Sequence, residues 1–139
     1  MSLKADFVDS LGPYYHVTSP EAWDNIQKDG LQPKDFGIGY SSLAPREDPL
    51  ICFTAHHRKG KWLSNFCDDH DVVIRLEVPS SAITSRDFSL DYTSSETEHY
   101  LSSDCNHSET LKKSGDVACY DHIPASEISD HEEIDCSKV

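Results

Sequence analysis

Tyr14-Tyr15-His16-Val17-Thr18-Ser19-Pro20-Glu21-Ala22-Trp23-Asp24-Asn25-Ile26-Gln27-Lys28-Asp29-Gly30-Leu31 changes period once, and that change decides how the chain begins to fold. From Tyr14 to Thr18 the side chains alternate, with Tyr14, His16 and Thr18 on one face and Tyr15 and Val17 on the other. Both faces carry bulk, which predicts a strand inside a sheet rather than at its edge. Ser19 then supplies an N-cap oxygen, Pro20 suits a first helical position that needs no N–H, and Glu21 complements the positive helix end. Trp23 and Ile26 share a helical face, and Lys28 falls in the last turn. Gly30 is suited to a left-handed C′ position, Leu31 to the hydrophobic contact beside it, and Pro33 to stopping the helix.

Working outward, residues 32–49 collect Gly37, Gly39, Pro33, Pro45 and Pro49 and predict a long loop of the kind that covers a binding site. Leu50-Ile51-Cys52-Phe53-Thr54-Ala55 predicts a second strand buried on both faces, with a helix after it near His56 to Phe66. Val72-Val73-Ile74-Arg75-Leu76-Glu77-Val78 predicts a third strand with Val72, Ile74, Leu76 and Val78 inward. Residues 80–95 read as polar and irregular. Ser95-Glu96-Thr97-Glu98 has capping-box form and opens a helix, with a break near Asp104 before Leu111. Asp116-Val117-Ala118-Cys119-Tyr120 predicts a late strand. His122-Ile123-Pro124-Ala125-Ser126-Glu127-Ile128 predicts an exit into a short helical turn. The acidic residues of 129–139 predict a solvated tail beyond a core of about 13–128. Strands mixed with helices, without βαβ regularity, predict an α+β fold in a single domain.

With 139 residues, 37% hydrophobic and 27% charged, the chain can bury a sizeable core, and it has no apolar run long enough to span a membrane. Its N-terminal residues lack a secretory pattern, so a cytoplasmic location is expected. The formal net charge of −13 opposes binding to a phosphate backbone, which makes nucleic acid an unfavourable partner. Arg58, Lys59 and Lys61 form a basic cluster that suits solvated helix-face charges or one small phosphorylated ligand. Cys52, Cys67, Cys105, Cys119 and Cys136 are odd in number and without Cys-x-x-Cys, so free thiols are expected and a structural zinc site is not.

Taken alone, His16 beside Thr18 at a strand end before a helix N-terminus is only a polar pair able to hold a ligand. Its surroundings add more. His16-Val17-Thr18 followed by a helix with late Ile26 and then Gly30-Leu31 resembles the opening of the ADP-ribosyltransferase superfamily. Later segments keep the family's order. Gly37-Ile38-Gly39-Tyr40 and Leu50-Ile51-Cys52-Phe53-Thr54 resemble its donor loop and second-motif strand. Asp116-Val117-Ala118-Cys119-Tyr120-Asp121, with the exit through Ile123, Pro124 and Ile128, resembles the strand of its catalytic glutamate.

The resemblance implies a split β-sheet core with flanking helices, NAD as substrate, and transfer of ADP-ribose to a protein or small-molecule acceptor with release of nicotinamide. It implies that His16 and Thr18 orient the nicotinamide ribose and amide, with Val17 between them and Thr54 nearby. A carboxylate at Asp116 would stabilise the oxocarbenium-like transition state, so Asp116 and His16 are the catalytic candidates. Two positions depart from the family pattern. Cys52 stands where the family has tyrosine, so the ring against nicotinamide falls to Tyr40, Phe53, Trp62 or Phe66. Asp116 stands where it has glutamate, one methylene shorter. A catalytically inactive binding module on the same fold, and an RNA 2′-phosphotransferase-like enzyme, are the alternatives.

Overall fold

A computed structural model describes residues 3–35 and 40–139 of the chain. The expected donor-loop residues Gly37, Ile38 and Gly39 lie outside the described residues. Among the described residues, strands β1 (Tyr14–Thr18), β2 (Ile51–Ala55), β3 (Val72–Val78), β4 (Phe88–Leu90), β5 (Asp116–Cys119) and β6 (Asp130–Asp135) form one sheet in the order β4-β5-β2-β1-β3-β6. Every neighbouring pair is antiparallel. The α+β class expected from the sequence is therefore observed.

Cross-strand partners point to the same side of a sheet, so the register separates two faces. Tyr14, Phe53, Ile51, Leu76, Val78, Val117 and Cys119 face the main core, joined there by Leu31, Leu111 and Ile123. Tyr15, Val17, Cys52, Thr54, Asp116 and Ala118 face the opposite side. There a second, smaller apolar cluster gathers Leu50, Ala118 and Tyr120.

Helix α1 (Ala5–Ser10) docks its buried Val8 in the main core, where the Tyr14 hydroxyl donates to the Val8 carbonyl at 2.8 Å. Helix α2 (Pro20–Asp29) starts as expected, with the Ser19 hydroxyl oxygen accepting from the Ala22 N–H at 3.1 Å. It ends at Gly30, whose φ of 77° is paired with an extended ψ of −173° rather than a left-handed one. The chain then runs straight into the bridge between Leu31 and Ile123. A Cβ at Gly30 would lie 2.4 Å from the Ile123 carbonyl oxygen, so only glycine permits that approach.

Several expectations need correction. In place of one helix from His56 to Phe66 there is a 3₁₀ turn (His56–Arg58), then α3 (Leu63–Cys67), because Gly60 interrupts the helical run. Residues 80–95 are not irregular. They hold α4 (Ser80–Thr84) and β4, which bury Ile83 and Leu90 completely. Helix α5 (Ser95–Ser102) is capped by Ser94 rather than opened by Ser95, and α6 (His107–Ser114) is capped by Asn106.

The segment 129–139 is not a free tail. β6 pairs along its length with β3, presenting exposed acidic side chains from an ordered backbone. The expectation of free thiols fails for two cysteines, since Cys67 at the end of α3 is bonded to Cys136 just past β6. This bridge ties α3 to the sheet edge. No helix among the described residues is long and apolar enough to cross a membrane.

The bridge closes a loop between residues 69 positions apart, and such cross-links typically contribute roughly 2–4 kcal/mol. Cys67→Ser is expected to lower the stability measured by denaturant titration by that amount. Unfolded, unreduced protein should show three titratable thiols, Cys52, Cys105 and Cys119. An unchanged denaturation midpoint together with five thiols would contradict the bridge.

Candidate functional site

The sheet is incompletely zipped at its centre. β1 pairs with β3 over all of Tyr14 to Thr18, but with β2 only at Tyr14↔Ala55 and Tyr15↔Thr54. β2 keeps its other side paired with β5 from Ile51 to Thr54. Beyond Tyr15 the two halves of the sheet therefore part, and His16 stands at the fork. Its Nδ1 is 2.8 Å from the Cys52 carbonyl oxygen, and its ring centroid is 5.8 Å from that of Phe53. A carbonyl only accepts, so Nδ1 carries the proton and Nε2 is left as an acceptor. Burial lowers the His16 pKa, the Cys52 hydrogen bond opposes that, and Lys34 adds to it, with the net direction downward. The ring is held neutral.

Cavities open on both sides of the fork. One of about 210 Å³ is walled by Tyr15, Val17, Trp62 and Phe66, with Cys52, Asp91, Thr93 and Ser94 supplying its polar groups. The other, of about 410 Å³, lies against α2 and is lined by Thr18, Asn25, Ile26, Lys34 and Ile51 among others. His16, Val17 and Phe66 belong to both walls. Together they make a cleft of the size and mixed polarity of a small-molecule site.

Behind this cleft sits a charge network that is buried at Asp116 and Lys61 and half-exposed at Glu96 and Arg58. Asp116 is 1% exposed, and its Oδ2 accepts from Lys61 Nζ at 2.6 Å and from the Ser94 hydroxyl at 2.5 Å. Lys61 Nζ also donates to the Ser114 carbonyl at 2.8 Å and to Glu96 Oε2 at 2.7 Å. Arg58 reaches Glu96 at 3.3 Å. Burial raises the Asp116 carboxyl above its usual range, while Lys61 and Ser94 oppose that rise. Asp116 Oδ1 and the hydroxyl of Thr54, its register partner, have no hydrogen-bond partner among the described residues.

Asp91 is a second buried carboxylate, 3% exposed. Its Oδ1 accepts from the Thr93 N–H at 2.9 Å and the Thr93 hydroxyl at 2.5 Å. Burial, followed by the charge of neighbouring Asp91, pushes the Cys52 thiol well above its ordinary pKa. Cys52 is therefore held as a protonated thiol rather than a nucleophile.

The fork brings together His16, Val17 and Trp62 of the expected site residues, with Thr18 on the α2 side. Phe66, one of the aromatic candidates, joins both walls. Phe53 instead turns into the main core, and Thr54 is buried beside Asp116. Tyr40 lines neither cavity. It packs against the cluster of Leu50, Ala118 and Tyr120, and its hydroxyl donates to the Asp48 carbonyl. Asp91, Thr93 and Ser94 were not legible as site residues. Asp91-Tyr92-Thr93 has the form of an Asx turn, which is usually solvated, and only the pairing of β4 with β5 carries it under the sheet. Lys61 is likewise buried rather than a surface charge, with 8% of its side chain exposed.

No family model matches the chain, and no curated protein matches it. Among solved structures, one named EcPltA is similar, with a TM-score of 0.52 and 18% identity over 86% of this chain and 74% of that one. The likeness is one of fold alone.

Removing one member of a buried ion pair typically costs about 3–5 kcal/mol, because the other is left uncompensated. Lys61→Met is expected to destabilise the protein by that amount in chemical denaturation. Adding Asp116→Asn should recover most of the loss, and equal losses in the single and double variants would contradict the network. His16 gives a pH signature. Its folded-state pKa lies below the ordinary 6.5, so below about pH 6.5 the unfolded chain binds the proton more readily. Stability should fall as pH drops through that window, and His16→Asn should flatten the fall. Parallel pH curves for the two proteins would contradict this.

Proposed function

We propose that the protein binds NAD in the cleft at the fork of the sheet and belongs, in chemistry, with the ADP-ribosyltransferases. The observation that carries this reading is the parting of β1 from β2 at His16, which sets a neutral imidazole and an aromatic pocket beside a buried carboxylate. In this reading His16 Nε2 accepts from a ribose hydroxyl or the nicotinamide amide, Thr18 supports it from the α2 side, and Trp62 or Phe66 lies against the nicotinamide ring. The glycosidic bond to nicotinamide breaks with its electron pair leaving on the ring nitrogen. The positive charge left on the ribose is stabilised by carboxylate, and a protein or small-molecule acceptor, or water, takes the ADP-ribose.

Asp116 is the carboxylate this reading assigns to the step, although it lines neither cavity and reaches the cleft wall only through its bond from Ser94; its Oδ1 is the oxygen not already used by Lys61 and Ser94. Its near-complete burial also favours a second reading, a binding module on the same fold with little or no turnover. Asp116→Glu separates the two, because the added methylene extends the carboxylate by about 1.3 Å, a misplacement large enough to govern catalysis.

Titration calorimetry of the full chain with NAD tests binding. Wild type is expected to bind, and His16→Ala should weaken binding roughly five- to tenfold, as loss of one buried hydrogen-bonding group does. Absence of NAD binding to wild type would overturn the proposal. Nicotinamide release that rises in Asp116→Glu would favour the enzyme, and release in neither protein the binding module.

A further inference from the structure

We propose that Asp91 makes the cleft selective for a cationic aromatic ring, so that NAD with its oxidised pyridinium is held in preference to the neutral dihydronicotinamide form. The inference rests on the NAD reading above and adds a selecting residue to it.

Three observations carry it. Asp91 is 3% exposed yet lines the smaller cavity together with Tyr15, Trp62 and Phe66. None of the ion pairs among the described residues includes it. The basic side chains around the site pair with other carboxylates, Arg58 with Glu96, Lys61 with Glu96 and Asp116, Arg75 with Glu132, and Arg46 with Asp48 and Asp87.

Thr93 donates two hydrogen bonds to Asp91 but brings no charge. A buried carboxylate without a cation is costly, and a ligand that supplies the cation recovers that cost on binding. The walls specify which cation. Trp62, Phe66 and Tyr15 offer aromatic surface, which favours a flat, weakly hydrated organic cation over a hydrated ammonium.

Asp91→Asn removes the charge while keeping an oxygen to accept from Thr93, so the turn retains its hydrogen bonds. The experiment titrates wild type and Asp91→Asn with NAD+ and NADH, and with 1-methylnicotinamide and nicotinamide as a cationic and neutral pair of small probes. Wild type should prefer NAD+ over NADH by roughly ten- to a hundredfold, the range of a charge-assisted contact. In Asp91→Asn the preference should fall within about threefold of unity, and 1-methylnicotinamide should lose its advantage over nicotinamide.

Equal affinity of wild type for NAD+ and NADH would overturn the inference while leaving the NAD reading intact. So would a preference that survives in Asp91→Asn. If the variant fails to fold, the two wild-type ratios decide. If neither NAD form binds, the NAD reading fails, and the small probes still judge Asp91. Binding of the cation alone would sustain cation selection, and binding of neither or both would end it.

Discussion

The fork between β1 and β2 is the constraint on which the rest of the site depends. Two strands that paired along their whole length would bring the backbone of Val17 and Thr18 against Ile51 and Cys52 and leave no space between them. Pairing instead stops after Tyr15↔Thr54. The Cys52 carbonyl, left without a strand partner on that side, is taken by the His16 imidazole. One side chain thus meets the hydrogen-bonding need of a parted sheet and stands at the mouth of the cavities the parting opens. His16 is a structural residue and a site residue for the same reason.

The charges behind the cleft follow from burial. Lys61 is surrounded by the carboxylates of Asp116 and Glu96 and the Ser114 carbonyl, so its ammonium is fully engaged away from water. Such a network holds α5, the start of β5 and the segment leading to α3 in one arrangement, and it fixes Ser94 at the cavity wall. The Cys67–Cys136 bridge acts on the same wall from the other side, anchoring α3 and therefore Phe66 to the edge of the sheet. A cleft wall held from one side by ion pairs and from the other by a covalent tie is preorganised, which reduces the ordering that a ligand must otherwise impose.

Much of this fold could be read from local chemistry. Ser19, Pro20 and Gly30 bound α2 as capping preferences dictate, and β1, β2 and β3 lie where alternation or a continuous apolar run places them. Legibility ended where pairing rather than local pattern decides the outcome. β6 is almost wholly exposed and acidic, so nothing in its own residues signals a strand, and β3 alone recruits it. β4 has three residues, too few to show a period. Cys67 and Cys136 are brought together by that same unanticipated pairing. The candidate site divides similarly. His16, Val17, Thr18 and Trp62 were visible from strand phase and resemblance. Asp91 was not, because a turn aspartate differs from a buried one only through what packs over it.

The most direct measurement of the central claim is a titration of the isotope-labelled chain with NAD+, followed by amide resonances in two-dimensional NMR. A ligand seated in the fork should shift Tyr15 to Thr18, Cys52, Trp62 to Phe66 and Asp91 to Ser94, the residues that converge there from four separate stretches of sequence. Acidic β6, far along the sheet order from β2, should stay unmoved. Shifts confined to β6 or scattered over the surface, with the fork silent, would contradict the account.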